Sequence, residues 1–119
     1  MSLPRVLSVS YDRELIHFRS LVLRNAGFIV DEAHDLQNAL RLVRANSLEI
    51  LLLCHTVPKI ERGYFISDVR ESKPLLPIVC IKAHPHILPI PGCLSVENDP
   101  VELLKCLRLA VEFPSRSLS

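Results

Sequence analysis

Leu48-Glu49-Ile50-Leu51-Leu52-Leu53-Cys54-His55-Thr56-Val57-Pro58 is the stretch on which the fold turns. Its large aliphatic residues run without a break, stop at a cysteine and a histidine, and are followed closely by a proline. A run this short does not suit a buried helix of ordinary length. It suits a strand covered on both faces, since such a strand has no solvent side toward which polar residues would alternate. Strands of that kind lie in the middle of parallel sheets. Open α/β sheets bind ligands just past the carboxyl ends of their strands, so Cys54 and His55 stand where function is usually found.

Toward the amino terminus, Arg5-Val6-Leu7-Ser8-Val9-Ser10 reads as a first strand. Asp12 caps a helix running to about Asn25, with Leu15, Phe18, Leu21, Val22 and Ala26 as its apolar face. Gly27 occupies the position that ends helices. Phe28 to Glu32 is a shorter, more polar strand suited to a sheet edge. Asp35 caps a helix from Leu36 to about Asn46, in which Leu36, Ala39, Leu40 and Val43 form a buried stripe. Leu48 to Cys54 is then the third strand.

Toward the carboxyl terminus, His55 to Glu61 reads as a loop and Arg62 to Ser72 as a helix with Phe65, Ile66 and Val69 inward. Pro77 to Lys82 is a fourth strand, again almost wholly apolar. Ala83 to Pro91 holds three prolines, and a regular helix does not accommodate them. Gly92 to Val96 is a fifth strand. Asp99, Pro100 and Glu102 take the N-cap, N1 and N3 positions of a last helix. It runs to about Glu112, with Leu103, Leu104, Leu107 and Val111 available to the sheet. This alternation of strands and helices predicts right-handed crossovers and a parallel sheet with helices on both faces. The expected fold is α/β, a flavodoxin-like three-layer sandwich with strand order 2-1-3-4-5.

A chain of 119 residues supports one core, so residues 1–119 are expected to form a single domain, its core spanning about 5–112. With 49% hydrophobic and 23% charged residues, the composition is that of a folded rather than a disordered chain. The net charge is +1 and no Lys/Arg cluster exceeds two neighbours, so direct nucleic-acid binding is not expected. No apolar run approaches the ~20 residues of a membrane span, and the amino terminus lacks a signal-peptide pattern. A cytoplasmic protein with no membrane partner is the expectation. The four cysteines, Cys54, Cys80, Cys93 and Cys106, include no C-x-x-C pair and read as buried free thiols in a reducing compartment.

Several short pieces stand in a telling order: Arg24-Asn25-Ala26-Gly27-Phe28, Cys54-x-x-x-Pro58, Leu76-Pro77, Lys82-Ala83 and Asn98-Asp99-Pro100-Val101-Glu102-Leu103. In this order and spacing, the chain from about Arg5 to Glu112 resembles a response-regulator receiver domain, the CheY-like phosphoacceptor of two-component signalling. The resemblance implies a pocket of five positions, and every one departs here. An acidic pair is replaced by Ser10 and Tyr11, and the phosphoacceptor aspartate by Cys54. The hydroxyl residue ending the fourth strand is replaced by Lys82. The lysine ending the fifth is replaced by Val96, with Glu97 where a proline usually follows. The resemblance also implies a helix between strands four and five, where only Ala83 to Pro91 remain.

The chemistry follows from these departures. Mg²⁺ is a hard ion that takes carboxylate oxygens, and Ser10, Tyr11 and Cys54 supply none. Asp12 or Glu14 alone makes a poor site. Without metal and lysine, nothing neutralises the charge of phosphoryl transfer, and without the aspartate no acyl phosphate forms. The expectation is a degenerate receiver, a pseudo-receiver, with no catalytic residue, no bound metal and no cofactor. It would act as a protein–protein interaction module in signal transduction or transcription regulation. Its partners would be proteins, a homodimer among them.

Other readings stay open at this level. Cys54 is either an inert buried thiol or a redox-sensitive thiolate activated by the ammonium of Lys82 on the neighbouring strand. Lys82 itself reaches solvent, holds an anion or pairs with Asp12. His55, His84 and His86 lie on loops at one end of the sheet, and with Cys54 they make a conceivable zinc or copper set. Their spacing matches no standard zinc motif, and Cys93, at the opposite edge, does not easily join them. Ile87, Leu88 and Ile90 either form an exposed apolar patch or cover the sheet. A small ligand-binding module is disfavoured, because strand one lacks a Gly-rich phosphate loop and the chain holds only three glycines.

Overall fold

The aliphatic run becomes β3 (Ile50–Leu53), every residue of which is buried. In the computed structural model, which describes residues 3–83 and 93–112, β3 lies between β1 (Arg5–Val9) and β4 (Ile78–Lys82). The edges are β2 (Ile29–Ala33), beside β1, and β5 (Leu94–Glu97), beside β4. All four pairings are parallel, and the order is β2-β1-β3-β4-β5, as the sequence predicts. Glu49 N–H bonds the Arg5 carbonyl at 2.9 Å and Cys54 N–H the Val9 carbonyl at 2.9 Å, so contact with β1 continues past both ends of β3.

Among the described residues, four helices cover the sheet: α1 (Arg13–Asn25) and α4 (Pro100–Glu112) on one face, α2 (Leu36–Ala45) and α3 (Lys59–Ser72) on the other. Successive strand residues point to opposite faces, so β3 serves both cores. Ile50 and Leu52 pack with Leu23, Leu103 and Leu107, whereas Leu51 and Leu53 pack with Ala39, Val43 and Phe65. No helix among the described residues is long and apolar enough to cross a membrane.

Each aspartate read as an N-cap accepts a backbone N–H, while Asp99 N–H goes to the Glu97 carbonyl at 2.8 Å and not to Glu102. Asp12 Oδ1 accepts from Leu15 N–H at 3.0 Å, Asp35 Oδ1 from Asn38 N–H at 2.7 Å, and Asp99 Oδ1 from Val101 N–H at 2.9 Å. At the end of α1, Gly27 takes φ +98°. Gly27 N–H bonds the Arg24 carbonyl and Phe28 N–H the Leu23 carbonyl, both at 3.1 Å. That is the paired closure of a Schellman turn, and Phe28 and Leu23 share one apolar cluster beside it.

Two helices differ from expectation. The inward face of α1 is Ile16, Arg19, Ser20 and Leu23; Phe18 is 59% exposed, Leu21 is exposed, and Leu15, Val22 and Ala26 are only half-buried. Counting apolar residues selects the wrong side of this helix, because two residues on its buried side are polar and find partners there. Ser20 Oγ donates to the Glu32 carboxylate, and Arg19 is bonded at the sheet end. Helix α3 starts at Lys59 rather than Arg62, with Pro58 at its N-cap and no side-chain cap to signal the start. Its inward residues include the expected Phe65, Ile66 and Val69, and also Arg62. The remodelled fourth crossover, with His84, His86, Ile87, Leu88 and Ile90, falls on residues 84–92, outside the described residues.

Candidate functional site

A parallel sheet delivers the carboxyl ends of its strands to one edge. Ser10 follows β1, Cys54 follows β3, Lys82 closes β4, and Val96 is the penultimate residue of β5. Cys54 is 1% exposed, and its sulfur accepts from Nη1 of Arg19 at 3.0 Å. Arg19, on α1, is 5% exposed, and its Nη2 donates to Asn98 Oδ1 at 3.0 Å just past β5. One guanidinium therefore ties the central strand to the far edge of the sheet.

A second polar set adjoins it. Ser10, fully buried, shares a 3.0 Å hydrogen bond with Thr56 Oγ1 and accepts from Asp12 N–H at 3.1 Å. Thr56 Oγ1 accepts from Tyr11 N–H at 3.0 Å, and the Tyr11 hydroxyl donates to Glu61 Oε1 at 2.9 Å. Ser10, Tyr11 and Cys54 are thus drawn together through Thr56. Val96 is core, in register with Ile81 and packed in the cluster of Leu103 and Leu107. Half-buried Lys82 is in register with Glu97.

These contacts set the ionisation. Burial pushes the Cys54 thiol up, but Thr56 N–H, the Arg19 guanidinium and the Thr56 and Ser10 hydroxyls together hold it below its ordinary value. Burial also lowers His55, helped by Arg19 and Arg62 and opposed by Asp12. Tyr11 is raised by burial and by its hydrogen bond to Glu61. Among the described residues, no group of three or more His, Cys, Asp or Glu side chains could hold a metal ion. The carboxylates near the strand ends have other work: Asp12 caps α1, and Glu61 receives the Tyr11 hydroxyl. The residues present do not fit the Mg²⁺ that the receiver resemblance implies.

Arg19, Thr56 and Asn98 are the site residues that sequence reading missed. Arg19 carried one usable signal: it sits between Ile16 and Leu23 at i+3 and i+7, within a helical stripe. The cation hydrogen-bonded to Cys54 is Arg19, where the sequence suggested Lys82.

Many solved structures share this architecture. A response regulator receiver domain protein (CheY-like) from Methanospirillum hungatei JF-1 is similar at TM-score 0.81 and 15% identity, over 97% of this chain and 98% of that one. The receiver domain of the Francisella response regulator 1452 gives 0.80 at 16% identity, over 92% and 97%. Chemotaxis protein CheY4 of Vibrio cholerae gives 0.76 at 21% identity, over 90% and 98%. The chain has the flavodoxin-like fold of CheY-like receiver domains. No protein-family model matches it, and no curated protein does.

Proposed function

We propose that this chain is a pseudo-receiver: a receiver-fold module of signal transduction or transcription regulation that takes no phosphoryl group. It works through contact with protein partners, a second copy of itself among them. The observation that carries this reading is the hydrogen bond from Arg19 to Cys54 at 3.0 Å, with both side chains buried. At the position matching the phosphoacceptor carboxylate stands a thiol already engaged by a cation, and that cation is itself held by Asn98. Ser10, Tyr11, Lys82 and Val96 are the other degenerate positions of the same pocket. In this reading the module is a non-enzymatic one, which fits the lack, among the described residues, of any group of three or more His, Cys, Asp or Glu side chains able to hold a metal ion. Its place is the cytoplasm, beside its partners.

The test is a titration with Mg²⁺ and beryllofluoride followed by two-dimensional amide NMR. Beryllofluoride mimics a phosphoryl group on aspartate and needs both metal and carboxylates. Absence of shifts around Ser10, Tyr11, Cys54 and Lys82 is the expected result. Saturable shifts there would show that another carboxylate has rebuilt the site and would overturn the proposal.

One observation also favours a thiol sensor at Cys54, because a guanidinium is an effective thiolate partner. In that reading Arg19, and not Lys82, is the activating cation. An iodoacetamide rate at Cys54 well above that of a free thiol peptide would support it, and protection of Cys54 would remove it. A ligand-binding module gains nothing from the cavity lined by Arg19 and Asn98. At about 240 Å³, it is smaller than the roughly 300–1,000 Å³ of ligand pockets.

A further inference from the structure

Cys80 lies in β4, on the sheet face that carries α2 and α3, and Cys93 stands just ahead of β5, its neighbour in the sheet. Their sulfurs are 3.1 Å apart, one thiol hydrogen-bonded to the other. Joining them asks for a closure of about 1 Å, given a disulfide bond of about 2.05 Å. Cys93 precedes the regular strand, so a small shift of its side chain breaks no ladder bond of Leu94–Glu97. Neither sulfur belongs to the Arg19–Cys54–Asn98 chain.

The two thiols are unequal. Cys80 is 2% exposed whereas Cys93 is half-buried, so a dissolved oxidant meets Cys93 first. The hydrogen bond from Cys80 lowers the Cys93 thiol; burial opposes this, and the charges of Arg62 and Arg70 reinforce it. The same hydrogen bond, with burial, pushes Cys80 up. Cys93 is the nucleophile of the pair, and Cys80 holds the proton. Arg62 is itself 7% exposed, and its Nε has no hydrogen-bond partner among the described residues. A buried guanidinium nitrogen left without an acceptor is costly, and the charge of Arg62 in turn favours the Cys93 thiolate.

We infer that Cys80 and Cys93 form a modification site, closing to a reversible disulfide when the protein meets a peroxide. The Cys93 thiolate attacks one peroxide oxygen, the O–O bond breaks, and the departing hydroxide takes a proton to become water. Cys93 is then a sulfenic acid. The Cys80 sulfur attacks the Cys93 sulfur, the S–S bond forms, and the hydroxyl leaves with the Cys80 proton as a second water. Two thiols lose two electrons in all, and one peroxide is reduced to two waters. A dithiol reductant reverses the bond by exchange. The link joins edge strand β5 covalently to its sheet neighbour β4. This inference stands on sulfurs outside the proposed phosphoacceptor pocket, so it holds or fails separately from the pseudo-receiver reading.

The experiment uses the full chain, treated with hydrogen peroxide, then unfolded in urea, blocked with iodoacetamide and mapped by non-reducing mass spectrometry. The expected result is a loss of two hydrogens per chain, a crosslinked peptide pair containing Cys80 and Cys93, and alkylation confined to Cys54 and Cys106. Dithiothreitol added after the peroxide and before the block should restore all four thiols. With Cys80→Ser, Cys93 should stop at a sulfenic acid that dimedone traps; with Cys93→Ser, Cys80 should keep its thiol. A covalent dimer through Cys93, sulfinic acid at Cys93 in the unmutated chain, or full alkylation of Cys80 and Cys93 would each overturn the inference. If either serine variant fails to fold, the map of the unmutated chain decides alone.

Discussion

Arg19→Met keeps the apolar stem of the side chain and deletes the guanidinium. Two hydrogen bonds of 3.0 Å are lost, to Cys54 Sγ and to Asn98 Oδ1. Bonds to a charged group contribute about 1.5–3 kcal/mol each, a gross loss of about 3–6 kcal/mol. Against this stands the penalty of holding a guanidinium at 5% exposure, itself several kcal/mol. No charge is stranded, because the thiol of Cys54 takes a proton. The net expectation is a destabilisation of about 1–2 kcal/mol, or a fall in Tm of about 4–8 °C at this chain length.

The pH dependence of that loss is the sharper test. Burial raises the Cys54 thiol and its four hydrogen-bonding groups lower it further, so the folded value lies below the unfolded one. Such a group adds stability that is complete above the unfolded value, about 8.5, and lost as pH falls through the folded value. The gap between the unmutated chain and Arg19→Met should therefore widen as pH rises from neutrality toward about 9. The assay is the urea midpoint by circular dichroism across that range, for both chains and for each combined with Cys54→Ser. With serine at position 54, the gap should not vary with pH. A gap that stays flat with the cysteine present would refute the thiolate–guanidinium pair. A variant more stable than the unmutated chain throughout would refute the magnitude.

Gly27→Ala should cost about 1–2 kcal/mol, because φ is +98° while an added Cβ meets nothing within 4 Å; an unchanged urea midpoint would contradict the strained-turn account. Burial, then Arg19 and Arg62, lower the His55 imidazole. The stability it confers is complete above about pH 6.5 and lost on acidification through its folded value. His55→Gln should then narrow the loss of urea resistance below about pH 6, and identical acid profiles would contradict this.

The sheet order and the central place of β3 were legible because an aliphatic run with no polar alternation has few other homes. The start of α4 was legible because Asp99, Pro100 and Glu102 are local capping chemistry, and Gly27 because only one residue type takes its turn cheaply. The inward face of α1 was not. Its partners lie far off in the chain: Arg19 meets Cys54 and Asn98, and no spacing rule encodes such distances. The approach of Cys80 to Cys93 was hidden for a related reason. Spacing sets Cys93 at the opposite edge from Cys54 and the loop histidines, but its neighbour is the thiol of the adjacent strand. The positions of Ser10, Tyr11 and Cys54 were read from a pattern, whereas Thr56, which joins them, had none.

The sheet order also bears on how the chain is made. During synthesis β1, β2 and β3 emerge before β4, and in the finished sheet they lie side by side with β3 outermost of the three. Until β4 arrives, Ile50-Leu51-Leu52-Leu53 is therefore an open and wholly apolar edge. Ile78 follows Leu53 by about 25 residues, so at ribosomal speeds the edge stays unpaired for on the order of seconds. The strand that anchors the finished domain is, for that interval, the segment most open to pairing with another nascent copy, and crowded expression should penalise this chain at that step.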